Sequence, residues 1–568
     1  MTRDLERLVT DTFDVVVIGG GIYGACVAWD AALRGLSVAL LEQGDFGHAT
    51  SANSMKIMHG GFRYLQHGDV KRMRESINER RIFMRIAPHL VHPLPFLLPT
   101  YRTGIQRRQI MRAALAVYDL VAWDRNFGVR DPGKRIPRGR VVSRDECLKL
   151  APGISDRGLT GGAVWQDGQV YNTERLTLAF LRSAAARGSC AANYVRVTGM
   201  LQEGRRVTGV LAVDAVTRRT LEVRARLVIN TSGPWVSQVF QSARSPGAAW
   251  TVSFTKTMNL VTKPLTGRHG VSVTLPHRAG AQCREAGCCR RLYFTPWRGR
   301  TVAGSLHVPV EGPADRQGAR EDEIARLLAD LNAAYPAAAL TREDVSLVHV
   351  GLLPRDAAVL GARVSADHLS DHYEIRDHAK ADGVEGVLSV VGVKYTTARD
   401  VAEKVIALAL TKLGRTPAAS RSAVTPLHGG DIDRFDEFLA GVLQARPHGL
   451  AEDILRQLVY SYGSVFADVL EQITRNPQAG ERVAPSSPVI KAQVLYAVRE
   501  EMARTLSDVV FRRTELGSLG HPGQEALRTC ADLMAAELGW DAARRARELE
   551  ETEQLFPARR PAPHAAAR

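Results

Sequence analysis

The feature that most constrains this chain is a strand, a glycine turn, a helix and a second strand packed into residues 13–42. Val15-Val16-Val17-Ile18 is a short apolar run, the pattern of a parallel strand buried on both faces. It enters Gly19-Gly20-Gly21-Ile22-Tyr23-Gly24, a G-x-G-x-x-G. Residues 25–34 are small and apolar at helical spacing, Gly35 sits where a helix ends, and residues 37–41 form a second strand closed by Glu42. Gly19 permits the tight turn, Gly21 lets a pyrophosphate approach the backbone, and Gly24 lets the helix lie close to the strand. The free N–H groups of the helix N-terminus favour that anion. Glu42, eighteen residues after Gly24, is placed to accept from ribose hydroxyls and to repel a 2′-phosphate. The unit predicts dinucleotide binding.

A chain of 568 residues has room for about two or three domains. Lys and Arg number 75 against 60 Asp and Glu, a net charge of +15, which suits an anionic partner such as a phosphorylated substrate or an acidic lipid. No nucleic-acid module accompanies the charge, and the 6% of aromatic residues are spread out. Cys283, Cys288 and Cys289 cluster without a C-x-x-C pair, so a reduced loop is expected there and no metal site. With no disulfide framework, no apolar leader in the first residues and no run of 18 apolar residues, the expected place is the cytoplasm.

After Glu42 comes a hydroxyl-rich loop, residues 45–54, in which Thr50, Ser51 and backbone amides can bond phosphates. Lys56, His59, Gly60, Gly61, Arg63 and Tyr64 follow, and the paired glycines allow a flat ring close to the backbone. The series G-G-G-I-x-G-A, then E-x-x-D-F-x-x-x-T-S-x-x-S-x-K-x-x-H-G-G-x-R-Y-L, resembles the flavin-dependent glycerol-3-phosphate dehydrogenases, a branch of the D-amino-acid-oxidase-like flavoproteins. The resemblance implies FAD rather than NAD. It places Ser54, Lys56, His59, Gly60 and Gly61 near the isoalloxazine, with Arg63 and Tyr64 facing substrate. Read from the residues alone, Arg63 is either a bidentate phosphate clamp or a surface arginine.

Residues 69–87 are charged and helical, and Pro88 ends them; Pro93, Pro95 and Pro99 then punctuate a strand-like stretch. Residues 102–123 put Arg102, Arg107, Arg108 and Arg112 ahead of an apolar run. Two readings stand: a basic amphipathic element on an anionic membrane face, or a core helix with a solvated lead-in. The resemblance favours the first, since members of that family often sit peripherally on the inner membrane and pass electrons to quinone.

Residues 170–187 read as a helix opened by Asn172 or Thr173, and residues 194–231 as a β-meander beginning near Val195. The meander ends in an apolar strand running to Gly233-Pro234-Trp235, similar to the family's N-x-x-G-P-W element. Residues 246–350 carry strands for a substrate domain. Here the chain departs from the family. Asn259 stands where a histidine is expected, Ser305-Leu306-His307 replaces a threonine-aspartate pair, and Leu353 replaces an arginine expected to hold a phosphate. Asn cannot serve as a base near neutrality. His307 can, because an unperturbed imidazole titrates near ~6.5.

Residues 386–399 form a strand and glycine turn, and Thr396-Thr397 would cap the following helix, its N-terminus supporting negative charge on a reduced ring. The stretch resembles the family's G-G-K-x-T-T-x-R, with Val393 for one glycine; by that match Lys394, Thr396 and Thr397 line the flavin and Lys394 also reaches substrate. Residues 426–557 are helical at a spacing of three and four, with Arg512-Arg513-Thr514 among the family's C-terminal signatures; packing or contact within a homodimer is the role expected of them.

The fold expected is a discontinuous α/β FAD-binding Rossmann-like domain (residues 1–80, 151–245 and 356–413), a substrate or membrane-facing insertion (81–150), an α+β substrate domain sheet (246–355), a helical domain (426–557) and a disordered tail (558–568). The function expected is oxidation of sn-glycerol 3-phosphate to dihydroxyacetone phosphate, with hydride passing to FAD and electrons to quinone or oxygen. Arg63, Tyr64, His307 and Lys394 carry the chemistry. Gly19, Gly21, Gly24, Glu42, Thr50, Ser51, Ser54, Lys56, His59, Gly60, Gly61, Val195, Gly233, Lys394, Thr396 and Thr397 hold the cofactor. The three departures keep two alternatives open: a relative that oxidises a different alcohol or amine, and a flavin-binding protein without turnover.

Overall fold

The computed structural model describes residues 1–102, 106–242, 250–275, 290–310, 312–355, 369–370 and 372–556. The cysteine cluster at 283–289 and the tail expected to be disordered lie outside the described residues. Among these residues, seventeen strands in chain order form two sheets.

The first sheet grows from β1 (Thr12–Ile18), flanked in parallel by β2 (Val38–Leu41) and by the end of β10 (Thr220–Asn230). Beyond β2 lies β7 (Cys190–Ala192); beyond β10 lie β17 (Val387–Val391) and antiparallel β16 (Glu374–Asp377). The meander is β8 (Val195–Glu203), β9 (Arg206–Asp214) and β10 itself. Strand β1 is apolar on both faces because both are covered. Val15 and Val17 pack toward the helices Ile22–Leu33, Thr173–Ala185 and Ala398–Lys412; Val16 and Ile18 pack toward the meander. Four parallel strands therefore end on one edge, which brings together the turn at Gly19, Glu42, the Gly233 turn and the loop from Gly392 to Thr397. The carboxyl edge of a parallel sheet is where such folds bind ligands.

The second sheet runs β15 (Val345–Pro354), β11 (Phe254–Thr262), β14 (Arg300–Pro309), β13 (Arg291–Trp297), β12 (Gly270–Thr274), β4 (Val91–Tyr101), β6 (Leu159–Val170) and β3 (Ile57–Met58), with β5 (Arg140–Val142) on β6. Pro93, Pro95 and Pro99 lie inside β4 rather than breaking it. Their even spacing sends every missing N–H to the same side of the strand, and the pairing of β4 with β12 covers only Phe96 and Leu97. One face of this sheet packs on the helix Glu321–Ala334 through Met258, Leu306 and Val350. The opposite face, carrying Thr257, Asn259, His307 and Gly351, looks at the loop of residues 50–54: a Cβ on Gly351 would lie 3.1 Å from Thr50 Cγ2.

The helix Arg108–Val121 has one buried side and one exposed apolar side. Met111, Leu115 and Tyr118 are buried, while Ile110, Val117 and Leu120, and beyond the helix end Trp123 and Phe127, are exposed, Leu120 at 75% and Trp123 at 77%. The remaining helices, from Phe435–Ala445 to Ala542–Gln554, build a core of their own and pack on the second sheet through Val261, Trp297, Val302 and Leu347.

Candidate active site

The turn after β1 behaves as its glycines require. Gly19 holds φ +99°, and a Cβ on Gly24 would meet the Gly19 carbonyl oxygen at 1.9 Å, so the helix Ile22–Leu33 lies against the turn only because position 24 has no side chain. A Cβ at Gly21 would fill the space 3.1 Å from Ser51 Oγ. The helix N-terminus is bonded from outside, since Ile22 N–H donates to Ser51 Oγ at 2.9 Å. Glu42 is buried; its carboxylate accepts from Gly20 N–H at 2.7 Å and Gly44 N–H at 2.8 Å, so it shapes the turn. Val195 contributes by backbone alone, its N–H donating to the Glu42 carbonyl at 2.8 Å. A turn bare of side chains, a helix N-terminus and an acid beside it are the donor and acceptor set that a dinucleotide's phosphates and ribose need. Gly233, at φ +57°, ends β10 on the same edge.

The loop that follows is tied at several points. Thr50 Oγ1 accepts from Leu352 N–H at 3.0 Å, which joins the loop to β15. Ser54 Oγ accepts from Lys56 N–H at 3.2 Å. Lys56, expected beside the flavin ring, is fully buried: its ammonium donates to Ala52 O and Thr173 Oγ1, each at 2.7 Å, and to Glu174 Oε1 at 2.9 Å. Burial lowers its pKa and Glu174 opposes that. Its charge holds the loop to the helix Thr173–Ala185.

His59, Gly60 and Gly61 are organised by Asp167, a residue the sequence reading passed over. Asp167 Oδ1 accepts from Gly60 N–H at 2.6 Å, and Oδ2 lies 3.5 Å from His59 Nδ1. Burial alone would raise this carboxyl, but His59, Arg80 and the Gly60 N–H outweigh it and hold it below the usual range. Thr396 Oγ1 accepts from His59 N–H at 3.1 Å, so Thr396 links the two flavin-side loops; Thr397 takes the N-cap position without a side-chain capping bond. Neither threonine hydroxyl caps the helix, which corrects the capping expectation. Arg399, the end of that motif, pairs with Glu79 at 2.6 Å in the buried interior.

Around Tyr64 three cations gather from three separate stretches. Lys394 Nζ lies 4.0 Å from the ring centroid, Arg72 Cζ 4.3 Å and Arg63 Cζ 5.5 Å. Arg63 is exposed, whereas Tyr64 and Arg72 are buried. Tyr23 positions Lys394 through the backbone, donating from OH to the Lys394 carbonyl at 2.8 Å and accepting from its N–H at 3.2 Å. Burial raises the Tyr64 pKa against the pull of Arg63 and Arg72, so the phenol keeps its proton at neutral pH. Arg72 carried no motif signal; only the helix Val70–Ile86 turning back over residues 62–67 brings it to the ring.

Across from the loop, the second sheet forms a roof. Asn259 is buried and accepts from Ser305 Oγ at 2.7 Å. His307 pairs across the strands with Thr257, whose hydroxyl lies 2.9 Å from Nδ1. His349 is level with Asn259 on the other side and shares its face. It is 4% exposed, its Nδ1 lacks a hydrogen-bond partner, and burial, reinforced by Lys56, brings its pKa down to about 3. Strand alternation from Leu353 would have flagged His349 in the sequence. Leu353 itself is half-buried opposite Thr255.

The profile of the FAD dependent oxidoreductase family matches residues 14–393, two thirds of the chain. A glycerol-3-phosphate dehydrogenase of Synechocystis is 33% identical over 551 residues, covering 95% of each chain. This chain belongs to the glycerol-3-phosphate dehydrogenase family of FAD-dependent oxidoreductases. The family's C-terminal part is present too: residues 420–545 match the C-terminal domain of alpha-glycerophosphate oxidase. The human mitochondrial glycerol-3-phosphate dehydrogenase is 31% identical, covering 95% of this chain and 72% of that protein. The structure of the Bacillus halodurans glycerol-3-phosphate dehydrogenase complexed with FAD superposes with a TM-score of 0.75 at 25% identity, over 97% of this chain and 96% of that one. As a member of this family the protein is an oxidoreductase whose cofactor is FAD, and the side-chain-free turn at Gly21 with Glu42 beside it fits that group.

Proposed function

We propose that this enzyme oxidises sn-glycerol 3-phosphate to dihydroxyacetone phosphate. The observation that carries the reading is the convergence of Arg63, Arg72 and Lys394 on Tyr64, beside loops shared with a flavin family. Three positive groups in one place suit a phosphate dianion, and the guanidinium forks add bidentate geometry. Arg63, Tyr64 and Lys394 contact substrate, and Arg72 supplies charge that the leucine at 353 does not. His307, its ring held by Thr257, accepts the proton of the secondary hydroxyl. Asn259 and Ser305 orient that hydroxyl. FAD supplies the hydride acceptor. Gly19, Gly21, Gly24, Glu42 and Ser51 hold its dinucleotide part. Ser54, His59, Gly60, Gly61 and Thr396 face its ring, and electrons leave to quinone or oxygen.

Anaerobic titration tests the reading. Glycerol 3-phosphate should bleach the oxidised flavin. Bleaching only by other alcohols or amines would favour the relative with a changed substrate, a reading that Asn259 and Leu353 motivate. Bleaching by none would favour a flavoprotein without turnover.

The exposed face of the helix Arg108–Val121 supports peripheral membrane seating. Ile110, Val117, Leu120, Trp123 and Phe127 are apolar and in water, with Arg107 and Arg112 exposed beside them. Among the described residues no helix is long and apolar enough to cross a membrane. A cytoplasmic protein lying on the inner membrane through this face should float with anionic vesicles, and Leu120→Glu should abolish flotation without changing FAD content.

A further inference from the structure

Arg512 and Arg513 stand in the C-terminal helical region, where packing was the role expected of them. In the fold both reach the cofactor loop, 467 and 468 residues away in sequence, at Asp45. Arg513 makes a fork, Nη2 to Asp45 Oδ1 at 2.7 Å and Nη1 to Oδ2 at 2.8 Å; Arg512 Nε donates to Oδ2 at 2.5 Å. Asn193 Nδ2 adds a bond to Oδ1 at 3.0 Å. Arg512 also pairs with Asp508 at 2.6 Å, and Asp508 accepts from Tyr194 OH at 2.7 Å. Two arginines and two aspartates thus balance in a buried cluster, with Asp45 at 2% exposure and Arg513 at 1%. Burial would raise the Asp45 carboxyl; Arg513 and Arg512 overcome this and hold it far below its ordinary range.

Asp45 is bound to the glycine turn through its immediate neighbours. Gly47 N–H donates to the Gly20 carbonyl at 3.0 Å. Phe46 packs on Gly20 so closely that a Cβ there would meet its ring at 2.7 Å. Ser51, farther along the same loop, accepts from Ile22 N–H at the start of the helix. The loop therefore touches the turn at three places, and one buried carboxylate, Asp45, ties its start to the C-terminal region. A charge removed from such a site leaves its partners desolvated and unpaired, so the loop must move or take up water.

We propose that Arg512 and Arg513 are positioning residues for the cofactor: by fixing Asp45 they set the shape of residues 45–51 against the glycine turn, and with it the affinity for FAD. The C-terminal region is then part of the cofactor site although its arginines act through Asp45. This rests on the reading that residues 42–54 line FAD.

The test uses full-length protein freed of flavin, titrated with FAD and followed by quenching of flavin fluorescence well below the melting temperature. Arg513→Gln should raise the FAD Kd tenfold or more, Arg513→Lys should fall between, and the KM for glycerol 3-phosphate of the FAD-saturated variant should stay within twofold of wild type. Asp45→Asn keeps the size of the side chain and should repeat the effect, which covers the case that Arg513→Gln does not fold. Variants that melt earlier yet bind FAD within twofold of wild type would show a purely structural role and overturn the proposal. Wild-type protein unable to take up FAD would overturn the cofactor reading and this inference together.

Discussion

The glycine turn after β1 and the roof of β11, β14 and β15 are built from different materials. The turn uses backbone. Gly24 is admitted because nothing larger fits 1.9 Å from a carbonyl oxygen, and Glu42 spends its carboxylate on the N–H groups of Gly20 and Gly44. The roof uses side chains, with Asn259, His307, His349 and Leu353 carried on paired strands. The turn keeps the glycine pattern of the resemblance, whereas Asn259, His307 and Leu353 depart from it in the roof and Val393 departs from it in the loop after β17. Evolution can retune a side chain on a strand at little structural cost, but not the Cβ-free approach of a helix to a turn.

The comparison breaks if the roof carries no chemistry. His307→Ala should lower kcat by about 10²–10⁴-fold with FAD content unchanged, since that is the usual worth of a positioned base; stopped-flow reduction of the flavin measures it, and a loss under threefold would remove His307 from the role. The turn should respond oppositely. Gly24→Ala should yield protein that loses its flavin on a desalting column and is destabilised by about 1–3 kcal/mol, because the added methyl meets backbone; thermal melts and the flavin-to-protein absorbance ratio report both.

A third prediction sharpens the roof. Leu353→Arg should lower the KM for glycerol 3-phosphate by roughly ten- to a hundredfold, in line with about 1.5–3 kcal/mol for a charge-assisted pair. An unchanged KM would mean that Arg72 already fills the place.

A further prediction concerns His349 and pH. Its folded pKa of about 3 lies below the unfolded value of 6.5, so the unfolded chain binds the extra proton first. Its contribution to stability is complete above pH 6.5 and is lost as pH falls toward 3, at up to about 1.4 kcal/mol per unit. His349→Gln should flatten the acid side of the stability curve and leave its neutral plateau in place. Chemical denaturation at pH 4 and pH 7 separates the two, and parallel curves would discount the burial argument.

Reading the residues in order revealed much of the cradle, because its signals are local. An apolar run, a glycine spacing and an acid eighteen residues on lie within one βαβ unit. The meander and the rejoining strand β10 were visible for the same reason. Side-chain partnerships were less legible. Lys56 stands in a motif that resembles a flavin contact, but its ammonium is committed to Glu174, 118 residues away in sequence. Thr396 has the look of a cap and instead holds His59. Asp167 sits mid-strand with no neighbouring signal, and nothing in residues 69–87 singles out Arg72.

By itself the sequence determined that a dinucleotide-binding βαβ unit opens the chain, that a strand-rich segment follows and that helices close it, because sterics and hydrophobic period act over a few residues. Tertiary structure alone decided which charges meet: three cations at Tyr64, a carboxylate under His59 and Gly60, and two C-terminal arginines on Asp45. The reason is physical. A buried charge must find its partner wherever the fold brings one, and that choice is made by packing across hundreds of residues rather than by any neighbour in the chain.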